Sequence, residues 1–413
     1  MDKALANFRI CDFTGQLAGA GATKWLSAFG AEVIRIEDPA RQGRWDILRG
    51  MEPFKPGQSG LEYGGGFNNH NTDKLGITLN LRTAKGKQIL TDLIKISDAV
   101  TENFAAGVLE RWGFGYPQLQ AIKPDIVYVS NCGFGHEGPY HQYKTWGPIV
   151  QAVSGLTFTS ALPGEPPAGW GYSYMDHTGG YYMAMAIMLA LLHKQRTGEG
   201  QWVDLACTEA AVTLNGPALL DWTVNQVPTR QAVQPSSNRS QFAPMAPHGI
   251  YPCAGDDEWI AISCRHQQDW ALLRPLLQSD SDVDWTAEFD DETYRLAHQD
   301  SLDAAMAAWT GQHEKLALQT RLQALPIPVA AVNKPAERID EDPTTGDFGL
   351  WPTVQHSAMG EVRVDGMPVH MSATDWHMAR GAPCLGEHNH DVLNRLLGLS
   401  EQEINQLADE GVL

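Results

Sequence analysis

The strongest constraint on this fold is a switch of period that repeats along the first third of the chain, where short β-branched or apolar runs are each followed by helical spacing. Phe8 to Phe13 is apolar, Gln16 to Phe29 is rich in helix-forming Ala and Leu, and Glu32 to Ile36 is β-branched before acidic Glu37. A strand at Thr78 to Leu81 precedes a helix from Ala84 to Ile96, whose Ile89, Leu90, Leu93 and Ile94 fall on one face. Ala99 to Glu102 and Ile126 to Val129 continue the series. Strands separated by helices imply a parallel sheet with crossover helices, hence an α/β fold with a Rossmann-like large domain.

A chain of 413 residues, 43 % of them hydrophobic, exceeds the roughly 250 to 300 residues at which single cores divide, so two domains are expected. The large domain is expected over 1–205 and 340–413, a linker helix region over 206–224, and a smaller α+β domain over 225–335. The proline-bearing stretch Gln226 to Pro247 marks the change of composition. Beyond it, Ile250-Tyr251 and Trp259 to Ile262 flank the hairpin signal Gly255-Asp256-Asp257. Ser279 to Glu292 reads as an acidic solvated surface, and Gly360 to Val369 as strand. Gly43 to Asn71 is rich in glycine and aromatic residues without a period, which points to a long functional loop.

Acidic residues outnumber basic ones by 49 to 30, a net charge of -19 that repels nucleic acid and anionic membrane. Apolar stretches such as Met183 to Leu192 are shorter than the ~20 residues of a membrane span, and the first residues lack the order of a signal peptide. The expected location is the cytoplasm, where the six cysteines, none in a C-x-x-C pair, are expected to be reduced. No metal site is expected, because His136 with Glu137, and His388 with His390 and Asp391, lack ligand spacing and suit capping or surface roles. Gly15, Gly19 and Gly21 give G-x-x-x-G-x-G in place of the dinucleotide turn, and close helix packing on the sheet accounts for them. No G-x-S-x-G pentapeptide supports a serine hydrolase.

The informative segment is Met175-Asp176-His177-Thr178-Gly179-Gly180, ahead of an apolar helix expected from Tyr181 to Lys194. Asp176 there can cap the helix N-terminus. It can equally hold a carboxylate against a bound substrate, with the glycines permitting close approach.

This D-x-x-G-G, with Arg196-Thr197-Gly198-Glu199-Gly200-Gln201 and Val203-Asp204 after the helix, resembles the class III CoA transferases of CaiB/BaiF type, the group containing formyl-CoA and carnitine CoA transferases. Further blocks follow in the family's order: Asp12-Phe13-Thr14 with Gly19, Gly30 to Glu37, Glu102-Asn103-Phe104, Tyr128-Val129-Ser130 with Gly133-Phe134-Gly135, Gly138-Pro139-Tyr140, Gln151-Ala152 with Ser154-Gly155, and Leu385 to Asn389. The resemblance implies that Asp176 is a catalytic nucleophile. It would attack an acyl-CoA to give a mixed anhydride and then an aspartyl-CoA thioester, which a second acid resolves. A carboxylate of ordinary pKa near ~4 is ionised at neutral pH and needs no base. CoA is then a co-substrate and no cofactor is tightly bound.

The same resemblance implies CoA or substrate contacts at Asn103, Phe104, Arg111, Lys144, Gln16, Gly179 and Gly180, with Lys74, Arg82, Lys85 and Lys87 as further cations on the CoA-binding half. Tyr63, with Trp45, Trp170 and Tyr172, suits a medium-sized organic acid. It also implies two chains interlocked as rings into a homodimer, with the active site between large and small domains. Three departures bear on the substrate. Ala105-Ala106 replaces the Arg-Pro of many relatives, Leu17 stands where formyl-CoA transferases have an active-site glutamine, with Gln16 adjacent, and Phe242 to Gly249 replaces their run of glycines, which argues against oxalate and formate. The alternative is an α-methylacyl-CoA racemase-like isomerase, but the histidine such enzymes carry is missing at Trp146-Gly147-Pro148.

Overall fold

The computed structural model describes residues 3–160, 165–227, 238–239, 244–279, 283 and 285–413. They form two compact units. The first comprises Met1–Ser160, Ala168–Val227 and Thr344–Leu413. Its centre is a six-stranded sheet of β1 (Arg9–Asp12), β2 (Glu32–Glu37), β3 (Leu75–Thr78), β4 (Ala99–Glu102), β5 (Val127–Cys132) and β6 (Trp202–Ala206). All neighbours are parallel, in the order β3-β2-β1-β4-β5-β6. The order reverses between β1 and β4, and the crevice at the carboxyl ends of such a pair is where ligands of open α/β sheets bind.

Alternation along the strands divides the core. Cys11, Ile34, Val100 and Tyr128 face one side, packed against Leu90 and Leu93 of the helix Ala84–Lys95. Ile10, Val33, Ala99 and Val127 face the other, packed against Leu26 of the helix Ala18–Ala28 and Met183 and Ile187 of the helix Tyr174–Thr197. A sheet covered on both faces is why its strands read as nearly continuous apolar runs.

Several expectations shift. β3 ends at Thr78, where the sequence reading had a strand begin. The segment from Gly43 to Asn71 contains a short turn of helix at Ile47–Gly50 and the helix Gly65–His70. Two buried arginines order it: Arg35 donates to Asp46 at 2.8 Å, and Arg49 to Glu37 at 2.6 Å. The apolar helix begins at Tyr174, ahead of the expected Tyr181, and ends at Gly198 in the left-handed region, φ 76°. His388 occupies the cap position of the helix Asn389–Leu397, but its side chain makes no capping hydrogen bond. Its Nδ1 accepts the Gly76 amide at 3.1 Å, while Asn389 accepts that of Thr78 at 2.8 Å, so the C-terminal segment is stitched to β3.

The second unit, Ala161–Pro167 and Pro228–Pro343, has an antiparallel sheet of β7 (His248–Pro252), β8 (Trp259–Ser263) and β9 (Val329–Ala331). Its helices, among them Gln267–Ser279 and Gln299–Thr310, enclose Ile260, Trp270, Leu273 and Trp309. The β7–β8 turn carries Gly255 and Asp257 at positive φ, 115° and 54°. Parts of the Gln226 to Pro247 stretch, of Phe242 to Gly249 and of the acidic Ser279 to Glu292 segment lie outside the described residues.

Candidate active site

At the switch point, the loop after β1 is gripped from the end of β4. Asn103 Oδ1 accepts the Gly15 amide at 2.7 Å and Asn103 Nδ2 donates to the Gly15 carbonyl at 3.0 Å. Any Cβ at Gly19 would stand 2.7 Å from the Asn103 side chain, and one at Gly15 would stand 2.6 Å from the Trp45 ring. These glycines therefore make room for Asn103 and Trp45, a different reason from the helix-on-sheet packing expected. The grip holds Gln16 at φ 55°, a left-handed conformation that non-glycine residues adopt at a cost of about 1 to 3 kcal/mol and that clusters at functional sites. Beneath the loop, buried Asp12 accepts from Thr14, Thr23 and Thr101 and pairs with Lys74 at 3.2 Å. Burial opposes its charge, but Lys74 and Arg35 keep its pKa below the usual carboxylate value.

Two cavities open at this crevice, and Trp45 and Phe104 line both. The first, about 290 Å³, is walled by Trp45, Phe104 and Trp112 and edged by Arg41, Arg82 and Asp38. The second, about 260 Å³, is lined by Gln16, Asn103, Ala105, Lys144 and Trp146. One therefore offers aromatic faces beside two guanidinium groups, and the other a polar channel with one cation.

Asp176 lies in the first turn of the helix Tyr174–Thr197 without serving as its cap; Ser173 occupies that position. Its carboxylate is half-buried, and a Cβ at Gly147 would come within 3.0 Å of Oδ2. Burial raises the pKa to about 6, against the pull of the Ser173 hydroxyl and the Gly147 amide. The ordinary value assumed from sequence is thus corrected. The carboxyl remains ionised at neutral pH, yet it is less solvated and more basic than a surface aspartate, both of which favour attack on a carbonyl carbon. Trp146 lines the second cavity and its neighbour Gly147 touches Asp176, so cavity wall and carboxylate are one residue apart along the chain.

Asp176, Asn103, Phe104, Gln16 and Lys144 thus gather around or beside the crevice, and other expected residues do not. Lys74 is fully buried against Asp12, and burial lowers its pKa to about 8 although Asp12 raises it, so it is a strut with no room for a ligand. Arg111 is exposed on the helix Val108–Trp112 and lines neither cavity, nor does Tyr63. Gly179 and Gly180 are closely packed: a Cβ on them would stand 2.7 Å from Cys207 Sγ and 2.7 Å from the Ala18 carbonyl, respectively. Gly147 as a partner of Asp176, and Arg41 and Trp112 as cavity walls, escaped the sequence reading because only tertiary folding brings them there; Ser173 was missed although its place at the helix cap, three residues before Asp176, is a local signal.

The pattern of CoA-transferase family III matches residues 5–389. The chain belongs to this family and is a class III CoA transferase. Over its whole length it is 32 % identical to formyl-CoA:oxalate CoA-transferase of Rhodopseudomonas palustris, covering 98 % of that protein. It is 28 % identical, again over its whole length and 98 % of the relative, to succinyl-CoA–D-citramalate CoA-transferase of Chloroflexus aurantiacus. A CaiB/BaiF family protein from Brucella suis superposes with TM-score 0.84 at 26 % identity, over 96 % of this chain and 100 % of that one. CoA-transferases use CoA thioesters as co-substrates, and no helix among the described residues is long and apolar enough to cross a membrane.

Proposed function

We propose that the chain moves CoA from an acyl-CoA donor to a carboxylic acid through intermediates on Asp176. The observation that carries this reading is the half-buried Asp176 carboxylate, with its raised pKa, held by Ser173 and Gly147 beside the cavity wall. A carboxylate oxygen attacks the thioester carbonyl, the C–S bond breaks, and the thiolate leaves a mixed anhydride. The thiolate then attacks the aspartyl carbonyl, expelling the first acid and giving the aspartyl-CoA thioester. The second acid attacks that carbonyl and frees the thiolate, which returns to the new acyl group and restores Asp176. Each intermediate keeps the energy of the thioester as long as water is excluded.

The larger cavity suits the adenosine end, with aromatic faces from Trp45, Phe104 and Trp112 for the base and Arg41 and Arg82 for phosphates. The second cavity carries the pantetheine arm past Gln16, Asn103 and Lys144. CoA enters and leaves as a co-substrate. Trp170 and Tyr172 suit an acid larger than oxalate, in keeping with the relative named for D-citramalate and unlike the one named for oxalate. A racemase-like reaction needs a second base, and the nearest imidazole in sequence is already engaged: His177 Nε2 lies 3.2 Å from the Tyr172 hydroxyl. The apolar side chains that the helix Tyr174–Thr197 leaves exposed, Met185, Leu189 and Leu192, support a homodimer that covers them.

The test is peptide mass spectrometry after mixing the protein with a panel of acyl-CoAs in heavy water. A CoA adduct on Asp176, absent in Asp176→Ala, is the expected result. Deuterium at the substrate α-carbon without an adduct rejects the transferase mechanism, and turnover on oxalate and formate alone rejects the larger acid.

A further inference from the structure

Behind the wall shared by the two cavities runs a chain of charges that the chemistry at Asp176 does not use. At the end of β4 the Glu102 carboxylate is 1 % exposed. One of its oxygens accepts the Phe104 amide at 2.7 Å, and the other accepts the Tyr128 hydroxyl at 3.0 Å. Burial raises its pKa, and the neighbouring His136 works against that rise. Among the described residues His136 is the only potential cation within ion-pair distance of Glu102, with Nε2 3.5 Å from Oε1.

The imidazole is itself fixed from the other side. Its Nδ1 lies 3.1 Å from Asp204 Oδ1 on β6, and its backbone amide donates to Asp204 Oδ2 at 2.8 Å. Gly135, at φ 75°, lets the loop after β5 wrap closely around that carboxylate, since a Cβ there would stand 3.3 Å from Oδ2. Glu110 Oε1 is 3.9 Å from Nε2, Cys132 Sγ is 3.8 Å from Nδ1, and the edge of Trp202 closes the remaining face. Burial works against protonation of the ring, but Asp204, then Cys132 and Glu102, raise its pKa to about 12. The carboxylates on either side favour the protonated ring.

We infer that His136 is a positioning residue for CoA: its ring ties Asp204 in the middle of β6 to Glu102 at the end of β4, and through Glu102 it fixes the Phe104 amide and the wall both cavities share. This rests on the reading of those cavities as the CoA site. The physical reason is asymmetric. A buried carboxylate that loses its only counter-charge takes up a proton or turns toward water, either of which loosens its hold on the Phe104 amide, whereas removing both charges together leaves no buried charge at position 102, and the partly exposed Asp204 keeps the backbone amide of residue 136.

The test compares CoA binding by calorimetry, and acyl-CoA kinetics, for the full-length protein, H136Q and the double variant E102Q/H136Q, whose glutamine at 102 can still accept the Phe104 amide. H136Q is expected to raise the CoA Kd and the acyl-CoA KM roughly tenfold with kcat changed less than about twofold, and the double variant to recover most of the loss, as the compensation argument requires. Nitrogen-15 NMR of the His136 ring is expected to show both nitrogens protonated at mildly alkaline pH. Unchanged CoA affinity in H136Q, a double variant no tighter than the single one, or a ring that titrates at the ordinary histidine value each overturns the inference. Wild-type protein that binds no CoA overturns the cavity reading and this inference with it, while wild-type binding with an indifferent H136Q overturns this inference alone.

Discussion

Gly179 faces Cys207 so closely that a Cβ would stand 2.7 Å from the thiol sulfur, though still 3.7 Å from the Cys207 Cβ. Replacing a glycine inside a helix by alanine ordinarily stabilises it by about 1 kcal/mol. Here the overlap reverses the sign, and Gly179→Ala is expected to cost about 1 to 3 kcal/mol through overpacking. In a Cys207→Ala background the obstacle is gone, and the same substitution should become neutral or stabilising. Gly180→Ala meets the Ala18 carbonyl, a backbone atom, and no change at Cys207 should relieve it. Denaturant unfolding of the five variants, each glycine substitution alone, Cys207→Ala alone and the two combinations, checks this, and equal costs of Gly179→Ala in both backgrounds would refute the geometry.

The pKa of Asp176 sets two pH dependences. The folded value is about 6 against the ordinary 3.8, so the native state holds the proton more tightly than the unfolded chain between those values. Stability therefore falls as pH rises from about 4 to 6 and is level above, with a cost at neutral pH of at most about 3 kcal/mol. Asp176→Asn is expected to be more stable than wild type at pH 7.5, to lose that advantage near pH 4, and to form no adduct. In the wild type the rate of adduct formation should rise about tenfold per pH unit below 6 and level off above 7, because only the carboxylate attacks. A rate that is flat between pH 5 and 7 would show that Asp176 titrates elsewhere.

The sheet was legible because it is written locally, and Asp176, the nucleophile proposed above, stood out for the same reason. β1, β2, β4 and β5 each carry a run buried on both faces, and Asp176 sits in a short motif beside its helix. Of the partners of Asp176, Gly147 was not legible, since it reaches the carboxylate through a contact that no spacing encodes, while Ser173, three residues earlier at the helix cap, was legible and overlooked. Lys74 misled for a related reason: a lysine in a CoA-binding segment looks the same in sequence whether its ammonium faces a phosphate or, as here, Asp12. Gly15 and Gly19 were visible as small residues, but the side chains they accommodate, Trp45 and Asn103, lie 30 and 84 positions further along the chain.

Asn103 is the single side chain holding both polar groups of Gly15. Asn103→Leu removes both partners, and each buried group left unpaired costs about 1 to 3 kcal/mol. Asn103→Asp keeps the acceptor for the Gly15 amide and loses the donor to its carbonyl, so its loss should be intermediate. Because the grip also holds Gln16 in its left-handed conformation, the CoA Kd should rise in the same order, Asp then Leu. Thermal unfolding together with calorimetry decides it, and an Asn103→Leu protein with wild-type stability would remove the clamp from the account.

Lys74 and Lys144 should respond in opposite ways to removal. Lys74→Met strands Asp12 in a site with no solvent, and breaking such a pair costs about 3 to 5 kcal/mol. Lys144 is exposed on the wall of the second cavity, so Lys144→Ala should leave stability within about 0.5 kcal/mol. Its ammonium faces the route proposed for an anionic ligand, and the acyl-CoA KM should rise severalfold at low salt. That difference should shrink as ionic strength climbs, since an exposed charge is screened over about 10 Å at 0.1 M salt. A Lys144→Ala enzyme whose KM matches wild type at low salt would take this lysine out of the CoA site.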